Sequence, residues 1–394
     1  MINEKMRALG AKRSVIRELF EYGKIRKAQI GEENVFDFSL GNPSVPAPDS
    51  VNEELIKLIK DESSVVLHGY TSAQGDAFVR GAIAEYINKT HGENVNADCF
   101  YMTVGAAAAL TSTLTALVCE GEEVIVPSPY FPEYKVFIER CGAKIVEVPC
   151  DKVNFNLDID AIRDAVNEKT AAIIINSPNN PTGKVFPEEN IIALTDMLRS
   201  KEKELARPIY LIADEPYREL VYDGVKVPYL TKYYDDTVVC YSYSKSLSLP
   251  GERIGYALIC PRMKDFVPVY QAVCGAGRAL GFVCAPSMLQ KLLPRVLGQC
   301  SDVSIYDRNR RLLIDKLGEY GMETVKPEGA FYLFIKSPSG DSEEFCERAK
   351  KHEILLVPSD DFGCKGYARL SYCVKTEQIE RALPAFKALG EEYK

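Results

Sequence analysis

Between residues 100 and 260 the chain carries seven short apolar runs, at 100–104, 123–126, 144–148, 171–176, 209–213, 238–243 and 255–260. Several are near-continuous valine, isoleucine and leucine rather than alternating apolar and polar, the pattern of strands covered on both faces. Helix-length stretches separate most of them, at 106–117, 133–141, 159–166 and 187–203. Strand-helix alternation of this kind restricts the fold to α/β, a mostly parallel sheet flanked by helices and joined by right-handed crossovers. The last two runs are joined too briefly for a helix, so one of them is expected to run antiparallel.

The chain ends have a different character. Residues 14–30 read as an amphipathic helix, and 36–44 as a short strand and turn leading into a proline-rich stretch. After about residue 285 come long helices at 286–297 and 303–320, then strand-like segments at 329–336 and 367–372. We read these ends as one smaller α+β domain. The expected division is 1–45 and 286–394 for that domain and 46–285 for the large one.

Open parallel sheets bind ligands beyond the carboxyl ends of their strands. Five polar loops fall there: Gly105, Pro129 to Phe131, Asn176 to Gly183, Asp214 with Tyr217, and Ser242 to Lys245. Lys245 follows a buried run, and no other charge lies between Asp236 and Glu252. Arg253 and Asp214 also stand at strand mouths. A lysine, an arginine and an aspartate so placed suit an aldehyde cofactor bearing a phosphate and a ring nitrogen. The lysine would hold the aldehyde as a Schiff base, the arginine the phosphate and the aspartate the protonated nitrogen. The competing reading of Asp214 is a helix cap before Glu215-Pro216, and of Lys245 a solvated surface charge.

Composition narrows the alternatives. The 394 residues are 46% hydrophobic and 26% charged with net charge −8, an ordinary globular balance that argues against nucleic acid or an anionic membrane as partner. No stretch reaches the ~18 apolar residues of a membrane span, and residues 1–7 lack the apolar core of a signal peptide, so a cytoplasmic location is expected. The twelve cysteines are scattered and read as small buried hydrophobes. With three separated histidines, neither a metal site nor a Ser-His-Asp arrangement is expected.

The segment from Ser242 through Lys245 and Arg253 to Gly255 resembles the lysine signature of class I/II aminotransferases, which are fold-type I enzymes using pyridoxal 5'-phosphate. Asn179-Asn180-Pro181-Thr182-Gly183, the Asp214–Tyr217 pair, Tyr70 with Gly75 and Arg80, Gly41-Asn42-Pro43 and Arg369 to Tyr372 resemble that family's other motifs, in order. The resemblance implies that Lys245 carries the cofactor and moves the substrate α-proton, and that Asp214 keeps the ring nitrogen protonated. It implies that Tyr217 and Asn180 bond the ring hydroxyl. Gly105, Ala106 and Ala107, with Ser242, Ser244 and Arg253, would hold the phosphate, and Tyr70 would reach the phosphate of a partner subunit in a homodimer with shared active sites. Phe131 would stack on the ring, or else fill the core. Arg369, with Asn180 and the Gly41 backbone, would take the substrate α-carboxylate.

The implied reaction is a ping-pong transfer of an amino group between an L-amino acid, aspartate or another, and a 2-oxo acid. Carbon–sulfur β-elimination uses the same lysine and stays open as an alternative. A regulator built on this fold is disfavoured, because only about forty residues precede Gly41. Aspartate enzymes of the family need a second cation for the side-chain carboxylate. Where some relatives carry a lysine after the phosphate-turn glycine, this chain has only alanines. Arg278 is the nearest candidate, in the region that would approach the partner subunit's active site, or else a rim charge. The glycines of 275–281 resemble a dinucleotide loop only faintly and follow no good strand, so they are discounted.

Overall fold

A computed structural model describes residues 2–11 and 14–394. All seven apolar runs form strands of one seven-stranded sheet. Phe100–Thr103 lies at one edge, followed by Gly255–Ile259, Thr237–Ser242, Tyr210–Asp214, Thr170–Asn176, Glu123–Ser128 and, at the far edge, Lys144–Pro149. Gly255–Ile259 is antiparallel to both its neighbours, and the remaining pairings are parallel. The brief connection before residue 255 therefore has the consequence expected of it.

The continuous apolar runs conceal a period of two. Ile173, Ile175, Leu211, Ala213 and Val239 join the core on one face of the sheet. Ala172, Ile174, Ile212, Val238 and Cys240 join the core on the other. Thr170–Asn176 is buried at every position because helices cover both faces. Ala106–Leu117 starts with four alanines, and their small side chains let it pack closely along Phe266–Ala279. The discounted glycines Gly275 and Gly277 lie inside that second helix rather than in a loop.

A third core unites the chain ends. Phe38 and Val45 pack with Tyr306, Leu313, Phe331, Leu370 and Phe386. Around them stands a four-stranded antiparallel sheet in the order Val357–Pro358, Tyr367–Ser371, Tyr332–Lys336 and Thr324–Val325. Phe36–Asp37 pairs in parallel with Ile354–Leu355, and the Ser371 amide donates to the Phe38 carbonyl at 2.8 Å. One helix departs from the expected grouping. Ser287–Val296, placed with the C-terminal part from sequence, packs on Asp49–Asp61 and Ala77–His91 and shares the large sheet's core through Leu289, Leu292 and Leu293. Its apolar stripe is satisfied there, so the change of core comes after it. Among the described residues, no helix is long and apolar enough to cross a membrane.

Candidate active site

The sheet reverses its direction of growth between Glu123–Ser128 and Thr170–Asn176, because the chain adds Lys144–Pro149 outside before returning. Open sheets bind ligands at such a switch point. The loops beyond these strand ends enclose a cleft of about 360 Å³. Of the residues singled out from sequence, Gly41, Ala106, Ala107, Phe131, Asn180, Asp214, Tyr217, Ser242, Ser244, Lys245, Arg253 and Arg369 all line it. Tyr70 does not; it is 91% exposed beyond the helix Ser64–His68. Arg278 is exposed on Phe266–Ala279 and takes no part in the cleft.

Asp214 ends a central strand and is buried. No helix follows it; residues 216–219 form a turn, so the helix-cap reading fails. That turn is anchored from behind by the buried Arg218, whose Nε donates to Glu215 at 2.6 Å and whose two Nη atoms reach the Val227 and Pro228 carbonyls. One Asp214 oxygen, Oδ2, accepts from the Tyr134 hydroxyl. The Asn176 amide donates to the Asp214 carbonyl at 2.9 Å. The other oxygen, Oδ1, is buried without a hydrogen-bond partner. Burial pushes the carboxyl up to about 7, against the Tyr134 hydrogen bond, which opposes the rise. A buried acceptor left unanswered is costly, and a protonated ring nitrogen would supply both the donor and the compensating charge.

Lys245 sits in a short helix, Tyr243–Ser246, that follows the strand ending at Ser242. Its Nζ donates to the Gly41 carbonyl at 2.7 Å and lies 5.3 Å from the centroid of the Phe331 ring. Burial lowers its pKa to about 8, and the positive charges of Arg253 and Arg369 act in the same direction. Beside it the Ser242 and Ser244 hydroxyls stand 2.7 Å apart, and Arg253 donates to Ser244 at 3.2 Å. The amide end of Ala106–Leu117 adds N–H groups and the positive end of its dipole. Gly105 adopts φ 88°, and a Cβ there would lie 2.6 Å from an Arg253 nitrogen. The donor set of hydroxyls, guanidinium and amides fits a phosphate group. Phe131 stands edge-on to Tyr134 at the cleft wall.

Arg369 is buried, and its guanidinium is only partly satisfied by protein. Nη1 donates to Asn180 Oδ1 at 3.1 Å and Nη2 to the Ser39 carbonyl at 2.6 Å, while Nε has no partner. The guanidinium lies 4.7 Å from the Tyr332 ring centroid and 5.1 Å from that of Phe362. Desolvation pushes its pKa down, so an incoming carboxylate would relieve it. Asn180 is held by its own loop, its amide N–H donating to Asn176 Oδ1 at 2.8 Å. Tyr217 shares a 2.9 Å hydrogen bond with the Tyr332 hydroxyl. Gly41 has no room for a side chain, because a Cβ would collide with that same hydroxyl.

Sequence reasoning missed four contributors. Tyr134 holds Asp214, and its only signal was an aromatic three positions after Phe131 on the helix Glu133–Arg140. Tyr332 was visible only as one apolar member of a strand. Arg17 and Glu133 line the cleft but read in sequence as charges on amphipathic helices.

The raised Asp214 pKa carries a signed consequence for the protein free of cofactor. The folded value lies above the unfolded 3.8, so the favourable contribution of the protonated carboxyl is complete below about 3.8 and lost as pH rises through about 7. Asp214→Asn lacks this titration. In urea unfolding it should gain on the wild type by on the order of 2–4 kcal/mol between pH 4 and pH 8. A pH-independent difference between the two proteins would contradict the assignment.

The comparisons with known proteins agree with this geometry. The family model described as aminotransferase class I and II matches residues 33–386. A crystal structure of an amino transferase from Eubacterium rectale superposes with TM-score 0.98 at 55% identity, covering 100% of this chain and 99% of that one. An aspartate aminotransferase of Pyrococcus abyssi is 31% identical over 97% of this chain and 96% of its own length. An aromatic-amino-acid aminotransferase of Thermococcus litoralis is 30% identical over 97% and 96%. Both the match along nearly the whole chain and the cleft it contains place this protein in the class I and II aminotransferase family.

Proposed function

We infer that Lys245, Asp214 and Arg369 act together as the catalytic and carboxylate-reading centre of this aminotransferase. The observation that carries the reading is their convergence on one cleft, Asp214 and Arg369 buried and Lys245 half-buried, each short of a partner or shifted in pKa. The protein is an aminotransferase dependent on pyridoxal 5'-phosphate, exchanging amino groups between amino acids and 2-oxo acids. When bound, the cofactor supplies an electron sink for the substrate α-carbon and a carbon that carries the amino group between half-reactions.

The chain's own groups do the rest. Arg369 grips the α-carboxylate in a planar fork, with Asn180 fixing the plane of the guanidinium. Lys245, with its amine tuned to about 8 by burial, takes and returns the α-proton near neutral pH. Asp214 holds a positive charge at the ring nitrogen, and Tyr134 fixes the orientation of the carboxylate. Tyr217 and Asn180 orient the ring hydroxyl, and Phe131 covers a ring face. Ser242, Ser244, Arg253 and the amides of Ala106 and Ala107 anchor the phosphate. The β-elimination alternative gains no support from the named relatives. Borohydride treatment of the holoenzyme followed by peptide mapping should place the cofactor on Lys245. Lys245→Ala should lose at least about a thousandfold in transfer to 2-oxoglutarate. Label on another lysine, or pyruvate and ammonia release outpacing transfer, would overturn this reading.

The assembly belongs to the same proposal. Tyr70, Val65 and Phe78 are 91%, 84% and 76% exposed, an apolar display suited to a second copy of the chain. Tyr70 would then complete the partner's phosphate site. The chain ends, as far as residue 45 and from about 298 onward, would form the small domain that closes on substrate. Twelve free cysteines suit a reducing cytoplasm. Mixing inactive Lys245→Ala with Tyr70→Ala chains should restore activity, through heterodimers holding one intact site. Full activity in a monomer by light scattering would refute the shared site.

A further inference from the structure

Among the described residues, six charged ones line the cleft: Arg17, Glu133, Asp214, Lys245, Arg253 and Arg369. Four have assignments above, and two do not. Arg17 lies in the first turn of Val15–Ile30, and Glu133 opens Glu133–Arg140 two residues beyond Phe131. Neither side chain makes a hydrogen bond or ion pair with any described residue, each other included. With the α-carboxylate at Arg369 and the α-carbon near Lys245, the rest of the cleft, which Arg17 and Glu133 both line, is left for the donor side chain. Its walls are apolar, from Ile16, Leu40, Leu110 and Phe137.

We propose that Arg17 and Glu133 form the donor side-chain subsite and that it selects a neutral carboxamide head, as in glutamine or asparagine, over the isosteric carboxylate. The proposal rests on the aminotransferase reading and adds the class of donor to it. The argument is one of complementarity. Arg17 offers only donors and Glu133, when ionised, only acceptors. A carboxamide presents an acceptor oxygen and a donor NH₂ on one carbon and answers both. A carboxylate answers Arg17 but sets two negative charges together at Glu133. An ammonium head has the mirror-image fault at Arg17. The amide is also neutral, so its transfer into the cleft costs less desolvation than that of either ion. Specificity here needs Glu133 as the repulsive element as much as Arg17 as the attractive one. Aspartate, the one donor named from sequence, is on this reading a poor one.

The test compares isosteric donors within each protein, using the holoenzyme. The wild type should show kcat/KM for glutamine above that for glutamate by about tenfold or more. Glu133→Gln should collapse or invert that ratio by raising glutamate, and Arg17→Gln should weaken both donors. Calorimetric binding of α-methylglutamine and α-methylglutamate, which lack the proton that turnover removes, should show the same preference and the same reversal. A purely structural role for Glu133 would lower both donors together and leave the ratio intact, which would overturn the proposal. So would equal wild-type preference for the two donors. Failure of every amino acid to donate would instead sink the aminotransferase reading itself.

Discussion

A single buried carboxylate, Asp214, sets the terms for the rest of the cleft. Its Oδ2 is answered by Tyr134 and its Oδ1 by nothing in the protein. A group in that state is expensive in a folded chain. The surrounding structure commits to it: the buried Arg218–Glu215 pair holds the turn behind it, and Asn176 ties its backbone to the next strand. The cost is accepted at the place where the sheet reverses its growth, where a bound ring with a protonated nitrogen would repay it. Strain of this kind concentrates at functional sites because only a ligand resolves it.

A second organising feature is a pair of polar contacts that join the chain ends to the large sheet at the cleft. Arg369 from the C-terminal sheet reaches Asn180 Oδ1 in a loop of the large sheet, and Lys245 from the large sheet reaches the Gly41 carbonyl. In the roles proposed for them, the first of these groups would read the substrate carboxylate and the second would move its proton, so substrate binding would act on contacts joining the two parts. Nearby, Tyr332 shares a hydrogen bond with Tyr217 and fills the space that Gly41 leaves.

Much of this was legible in the chain itself. The seven strands appear as apolar runs because both sheet faces are covered, and the loops at their carboxyl ends carry the isolated charges of Asp214, Lys245 and Arg253. What stayed hidden was whatever depends on side chains meeting across distant segments. Tyr134 and Tyr332 look like core aromatics until their hydroxyls are seen against Asp214 and Tyr217. Arg17, far off in sequence, lines the cleft with no sequence mark for which side of its helix would meet it. Ser287–Val296 follows a change of texture in the sequence, yet its apolar stripe packs on the earlier helices.

The most direct measurement is the protonation of the cofactor ring nitrogen in the assembled enzyme. Reconstitution with ¹⁵N-labelled pyridoxal phosphate and observation of the ring-nitrogen shift by NMR would report it. The account requires the nitrogen of the wild-type protein to stay protonated from neutral pH to well above pH 8, and that protonation to vanish in Asp214→Ala. An unprotonated nitrogen in the wild type at neutral pH, or an unchanged shift in the variant, would contradict the place given to Asp214.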